Sequence, residues 1–158
     1  MKHLAIDYGL SRTGLAATDP DGILAYPLAT LDLARFPTRK ALLEALSARI
    51  REEAPAIVVV GLPLLEDGSE TLTTKQVRNF VRRLLHRIEA PVYLMPELLS
   101  SFEAEGDLDA AGVKGKKRRA VLDQQAAVRI LESYLAAPQC AHRAEPDGHR
   151  AAAGHGGA

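Results

Sequence analysis

The stretch AIVVVG, residues 56–61, puts Ile57 and three valines in a row with no polar residue among them. A strand with one wet face alternates apolar and polar residues, and this one has no polar face to show. It is therefore expected at the centre of a sheet, covered on both sides and parallel to a neighbour. A parallel neighbour requires a crossover, and the sequence on either side supplies one. Upstream, Leu42, Leu43, Leu46, Ile50 and Ala54 recur at helical spacing between about Thr38 and Glu53, with Pro37–Thr38 as a start signal. Downstream, Val77, Phe80, Val81, Leu84, Leu85 and Ile88 mark a second helix, with Arg78, Arg82, Arg83 and Arg87 on its other side.

Farther upstream lie three short apolar runs: LAID (4–7), TGLAAT (13–18) and ILAYPLAT (23–30). They are separated by YGLSR and by DPDG, which is made of turn-forming residues, so they read as an antiparallel meander. After the central strand comes a loop, LPLLEDGSE. PVYLM (91–95), past the second helix, is a fifth strand. A short helix (about 100–105), a Gly- and Lys-rich loop (106–119) and a last helix (about 120–136) follow. The last helix carries Val121, Leu122, Ala126, Ala127, Ile130, Leu131 and Tyr134. The order predicts an α/β domain over residues 1–137: a mixed five-stranded sheet, three antiparallel strands then parallel ones, with helices on both faces. From Pro138 the chain turns to Ala, Gly, His and Pro, and residues 138–158 read as a disordered tail.

Composition narrows the function classes. The chain has 158 residues, enough for one domain with a sizeable core. Its 20 basic and 20 acidic side chains cancel, so a polyanion would have to be met by a local patch. Cys140 is the single cysteine, which excludes an internal disulfide and suits a reducing cytoplasm. The opening residues enter a strand-like run at once, so no signal peptide is expected. No apolar stretch approaches the roughly 20 residues needed to cross a bilayer, so no membrane partner is expected. Aromatics are 4% of the chain, too few for a base-stacking platform.

Three carboxylates fall where chemistry gathers in such a sheet, at the carboxyl ends of its strands. Asp7 ends the first strand, Glu97 lies just past the fifth, and Asp123 sits in the first turn of the last helix. Converging carboxylates repel unless a cation neutralises them, and an all-oxygen site suits Mg²⁺ or Mn²⁺. Each residue also has a plainer reading. Asp7 could start a turn, Glu97 could be a solvated loop residue, and Asp123 could complement the helix dipole. The case for a site rests on all three meeting at one edge.

The segments AIDYGLSRTGLA, VVGLPLLEDGSE, PELLSSFEAE and KGKKRRAVLDQQAAVRILESYL occur in this order across residues 1–136. Together they resemble the YqgF family, also called RuvX, the pre-16S rRNA nucleases earlier described as Holliday junction resolvase homologues. The resemblance implies a ribonuclease H-like fold and an acidic metal site in which Asp7, Glu97 and Asp123 are both the catalytic residues and the metal ligands. It also implies that Gly61-Leu62-Pro63 and Asp67-Gly68-Ser69 form the loop after the fourth strand. One segment departs from the family pattern. Where the family has D-E-R, this chain reads Pro96-Glu97-Leu98, so the arginine that would meet a scissile phosphate bidentately is replaced by leucine.

Candidate nucleic-acid contacts complete the picture. Lys114, Lys116, Lys117, Arg118 and Arg119 put five cations in six residues, leading straight to Asp123. Arg12, close behind Gly9, could touch a phosphate held by the turn beside the site. Ser100 and Ser101 are phosphate ligands or a helix cap. The leading expectation is a metal-dependent nuclease acting on pre-ribosomal RNA, as a monomer or weak homodimer. The alternatives are cleavage of branched DNA and a nucleic-acid- or ribosome-binding module without turnover, which the Leu98 substitution favours. A two-domain sugar kinase or actin-like ATPase would share the D-x-G turn but does not fit in this length.

Overall fold

The structure is a computed structural model that describes residues 1–99 and 116–146, with the backbone alone at 116–120. The meander appears as expected: β1 (His3–Tyr8), β2 (Arg12–Thr18) and β3 (Ala25–Asp32). The Asp19 carboxylate organises its second turn by accepting from the Ile23 and Leu24 amides. Helix α1 (Arg39–Glu53) begins where the Thr38 hydroxyl accepts from the Ala41 amide, and ends at Ala54 in the left-handed region ahead of Pro55. Strand β4 (Ile57–Leu65) contains the apolar run, and helix α2 (Leu72–Leu85) opens with a capping box between Thr71 and Thr74. Strand β5 (Val92–Leu99), helix α3 (Lys116–Ala136) and a two-residue strand β6 (His142–Arg143) follow.

The sheet order is β3-β2-β1-β4-β5-β6. β4 pairs in parallel with β1 on one side and β5 on the other, so the all-apolar run lies in the interior of the sheet. Its side chains divide between two cores. Val58 and Val60 pack with Leu4, Ile6, Leu46, Phe80 and Leu84 on the face covered by α1 and α2. Val59 packs with Ala5, Ala16, Ala127, Ile130 and Leu131 on the face covered by α3. Each Val or Leu buried in this way contributes about 1.5–3 kcal/mol. Among the described residues, no helix is long and apolar enough to cross a membrane.

Four expectations need correction. β4 runs on to Leu65 through what reads as a loop, and β5 runs on to Leu99, so Glu97 lies inside a strand, paired with Pro63. The apolar residues Leu62, Leu64, Leu65, Leu98 and Leu99 let the ladder continue past two prolines. Pro96 is tolerated because, among the described residues, β6 covers β5 only at Tyr93 and Leu94, leaving an edge from Met95 onward. Helix α3 is described from Lys116, so Asp123 lies two turns inside it and not in its first turn. Lys and Arg are good helix formers, and a run of them without apolar spacing reads as loop. The sheet has six strands where five were expected, because residues 138–146, assigned to the tail, form a 3₁₀ turn and then β6. The short helix expected at 100–105, Ser100, Ser101 and Lys114 lie outside the described residues, as do the side chains of Lys116, Lys117, Arg118 and Arg119.

Candidate active site

Two glycines set the geometry at the edge where β1, β4 and β5 end. Gly14 on β2 pairs with Asp7 on β1, and a methyl group added at Gly14 would collide with the Asp123 carbonyl group. The bare backbone at Gly14 therefore lets α3 descend onto β2 and brings Asp123 over the strand pair that carries Asp7. Gly61 does the same for β4. A Cβ there would lie 2.5 Å from Ile130 Cδ1 and 3.4 Å from Glu97 Cγ. Helix α3 is further tied down by its neighbouring polar residue, with Gln124 Nε2 donating to Thr30 Oγ1 at 3.0 Å on β3.

Asp7, Glu97 and Asp123 consequently line one cavity of about 480 Å³, reached from β1, β5 and α3. Arg12 and Arg129 line it too. The Arg12 Nε donates to Asp123 Oδ2 at 2.9 Å, with both side chains about four-fifths buried. Glu97 is half-buried, and burial pushes its carboxyl above the usual carboxylate range, with the Arg129 charge acting in the opposite direction. The sequence reading did not single out Arg129. Its position on α3, six residues past Asp123, carried the only available signal, and that position sits beside an apolar stripe read as core.

The three carboxylates share the cavity but are not drawn into one tight cluster. Among the described residues, no three His, Cys, Asp or Glu side chains stand close enough to hold an ion together. Arg12 holds the Asp123 carboxylate toward β2. The donor set nonetheless fits a hard divalent cation. It is all oxygen, it comes from three rigid elements, and Glu97 is held where a nearby cation would offset its desolvation. Leu98, in the place of the family arginine, is 57% exposed on the edge of β5. His86 caps the end of α2, on the helix surface.

Comparison with known proteins bears on the lineage and the fold. Residues 1–137 match the family model described as "RuvX: Holliday junction resolvase". A protein of Nitratidesulfovibrio vulgaris (strain DP4), named "Putative pre-16S rRNA nuclease", is 56% identical over 139 residues, which is 88% of this chain and 96% of that one. One of the same name from Thiobacillus denitrificans is 43% identical over 132 residues, covering 84% and 89%. Among solved structures, Thermus thermophilus RuvC aligns with a TM-score of 0.50 and 16% identity over 91% of this chain and all of its own. The same protein in complex with a Holliday junction substrate aligns with a TM-score of 0.51 and 14% identity, with the same coverage. These likenesses carry the fold, which is ribonuclease H-like, and the sequence relatives carry the lineage: the chain belongs to the RuvX family.

Proposed function

We propose that this chain is a cytoplasmic, divalent-metal-dependent nuclease that hydrolyses phosphodiester bonds of structured RNA and processes the 5′ end of pre-16S ribosomal RNA. The observation that carries the reading is the shared cavity. Carboxylates from β1, β5 and α3 and guanidiniums from β2 and α3 face one space at the carboxyl edge of the sheet. Asp7, Glu97 and Asp123 would hold Mg²⁺ or Mn²⁺, which when bound supplies an activated water and stabilises the leaving oxygen. Arg12 and Arg129 bind the non-bridging oxygens and fix the phosphate's orientation, Arg129 providing a guanidinium that Leu98 cannot. Asp123 holds Arg12 in register for that contact. Lys114, Lys116, Lys117, Arg118 and Arg119, close in sequence to Asp123, neutralise neighbouring phosphates of the strand. The chain works as a monomer or weak homodimer.

The second reading keeps the chemistry and changes the substrate to a four-way DNA junction; the resolvase description of the family and the likeness to the RuvC–junction complex favour it. One assay separates the two. The purified chain, Asp7→Asn, Asp123→Asn and Arg129→Ala are incubated with a pre-16S leader RNA and with a four-way junction, in Mg²⁺ and in Mn²⁺. The expected result is cleavage of the RNA, loss of more than about 100-fold in each Asn variant, and a drop of about tenfold in kcat/KM for Arg129→Ala. Cleavage of the junction alone would select the second reading. Equal cleavage by all four proteins would point to a contaminant, and binding without product from the parent chain would leave a non-catalytic module.

A further inference from the structure

A second cavity, of about 400 Å³, opens on the other face of the sheet, between α1, α2 and the end of β1. That volume is within the usual range for small-molecule sites, about 300–1,000 Å³. Four cations line it: Arg39 and Lys40 from the first turn of α1, Arg83 from the last turn of α2, and Arg87 just beyond it. No Asp or Glu side chain lines it, and among the described residues none of the four cations forms an ion pair. Backbone carbonyls hold two of them in place: Arg39 Nη1 donates to Leu10 O at 3.0 Å and Arg87 Nη1 to Arg83 O at 3.1 Å. Arg39 and Lys40 stand at a helix N-terminus with no acidic residue in the first turn, where their charge opposes the dipole. A bound anion would relieve that opposition.

A second observation is independent of charge. Thr13, on β2, lines the same cavity and is 1% exposed, and its hydroxyl has no hydrogen-bond partner among the described residues. Burying a hydroxyl unpaired costs about 1–3 kcal/mol, and valine would fill the same shape without that cost. The remaining wall is apolar and aromatic. Tyr8 stacks on Phe80 with ring centroids 4.2 Å apart and planes 13° apart, beside Leu42 and Leu43.

A cationic rim, a buried polar atom awaiting a partner and an aromatic-apolar wall match one ligand chemistry. We propose that this cavity binds a nucleotide unit, its phosphate on Lys40, Arg83 and their neighbours and its base and sugar against the wall that contains Thr13. Tyr8 lines this cavity and the acidic one. The unit is therefore either a free nucleotide or one residue of the strand whose scissile phosphate occupies the acidic cavity. Only the second source rests on the nuclease reading.

The test is calorimetric titration with AMP, adenosine and inorganic phosphate in the presence of a chelator. The proteins are the parent chain, Asp7→Asn, the double variant Lys40→Gln/Arg83→Gln, and Thr13→Val. AMP should bind more tightly than adenosine or phosphate, and equally to the parent and Asp7→Asn. The double variant should weaken it at least tenfold. Thr13→Val should weaken it severalfold while leaving the unliganded protein as stable as the parent or more so. A single-stranded RNA heptamer that competes with AMP, and whose binding also falls in the double variant, identifies the strand as the source. AMP binding unaffected by the heptamer identifies a free nucleotide. No AMP binding, binding unchanged in the double variant, or phosphate binding as tightly as AMP would overturn the proposal. Because no arm measures cleavage, an inactive enzyme leaves the result standing.

Discussion

Glu97 is a half-buried carboxylate where the proposed metal-binding role and stability pull in opposite directions. Its carboxyl titrates above the ordinary value of 4.5 because burial disfavours the ionised form. The consequence for stability has a definite sign. Below the unfolded value both states are protonated and nothing is lost. As pH rises through 4.5 and past the raised folded value, ionisation becomes costlier in the folded state than in the unfolded one, so the folded chain loses stability and stays penalised at neutral pH. Glu97→Gln should therefore melt higher than the parent at pH 7.5 in chelator, by about 2–4 °C for each kcal/mol recovered. The gap should close as pH falls to about 3, where an unfolded glutamate is protonated as the folded one is. Excess Mn²⁺ should raise the melting temperature of the parent and leave the variant unmoved. A variant that melts at or below the parent at pH 7.5 would show that Glu97 carries no such penalty.

At the scale of elements, the site depends on how closely α3 approaches the sheet, and the two glycines beneath it predict unequal sensitivity. A methyl at Gly14 meets the Asp123 backbone, which can yield only if the helix moves. A methyl at Gly61 meets the far end of the Ile130 side chain, which can rotate. Gly14→Ala should cost about 1–3 kcal/mol in urea unfolding and displace Asp123, whereas Gly61→Ala should cost less. Equal losses would mean that α3 does not sit as tightly on β2 as described. The sequence announced α3 through its apolar stripe, and the meander and central strand through period and composition. It did not announce where β4 and β5 end, because prolines and a glutamate look like breakers when the pairing partner is unknown. Asp7, Glu97 and Asp123 were legible as residues at one edge. The Arg12–Asp123 pair was not, since the two lie 111 positions apart and only packing joins them. Arg129 was hidden by the core residues on either side of it.

At the scale of the molecule, the sheet is a platform whose carboxyl edge is left for chemistry and whose lateral edge is partly closed. β6 performs that closure with very little sequence signal. His142 and Arg143 are exposed and polar, and what holds them is backbone pairing to Leu94 and Tyr93, extended by the Ala144 amide donating to Val92 O at 2.8 Å. Ala141 packs against the core beneath α3, and Ala144 against the core on the opposite face. Pairing of this kind needs no hydrophobic pattern, which is why the segment reads as tail, yet it hides donors and acceptors that would otherwise recruit another chain. A chain ending at residue 137 should lose about 1–3 kcal/mol, the net worth of a few hydrogen bonds. It should also exchange the Tyr93 and Leu94 amides faster and associate as its concentration rises. A chain ending at residue 146 should match the 158-residue chain in all three respects. Glu97 lies beyond the part of β5 that β6 covers, so RNA cleavage at a temperature well below melting should survive both truncations. If the chain ending at 137 melts with the parent, β6 contributes nothing to stability; if it loses cleavage while remaining folded, the lateral edge and the site are coupled through β5.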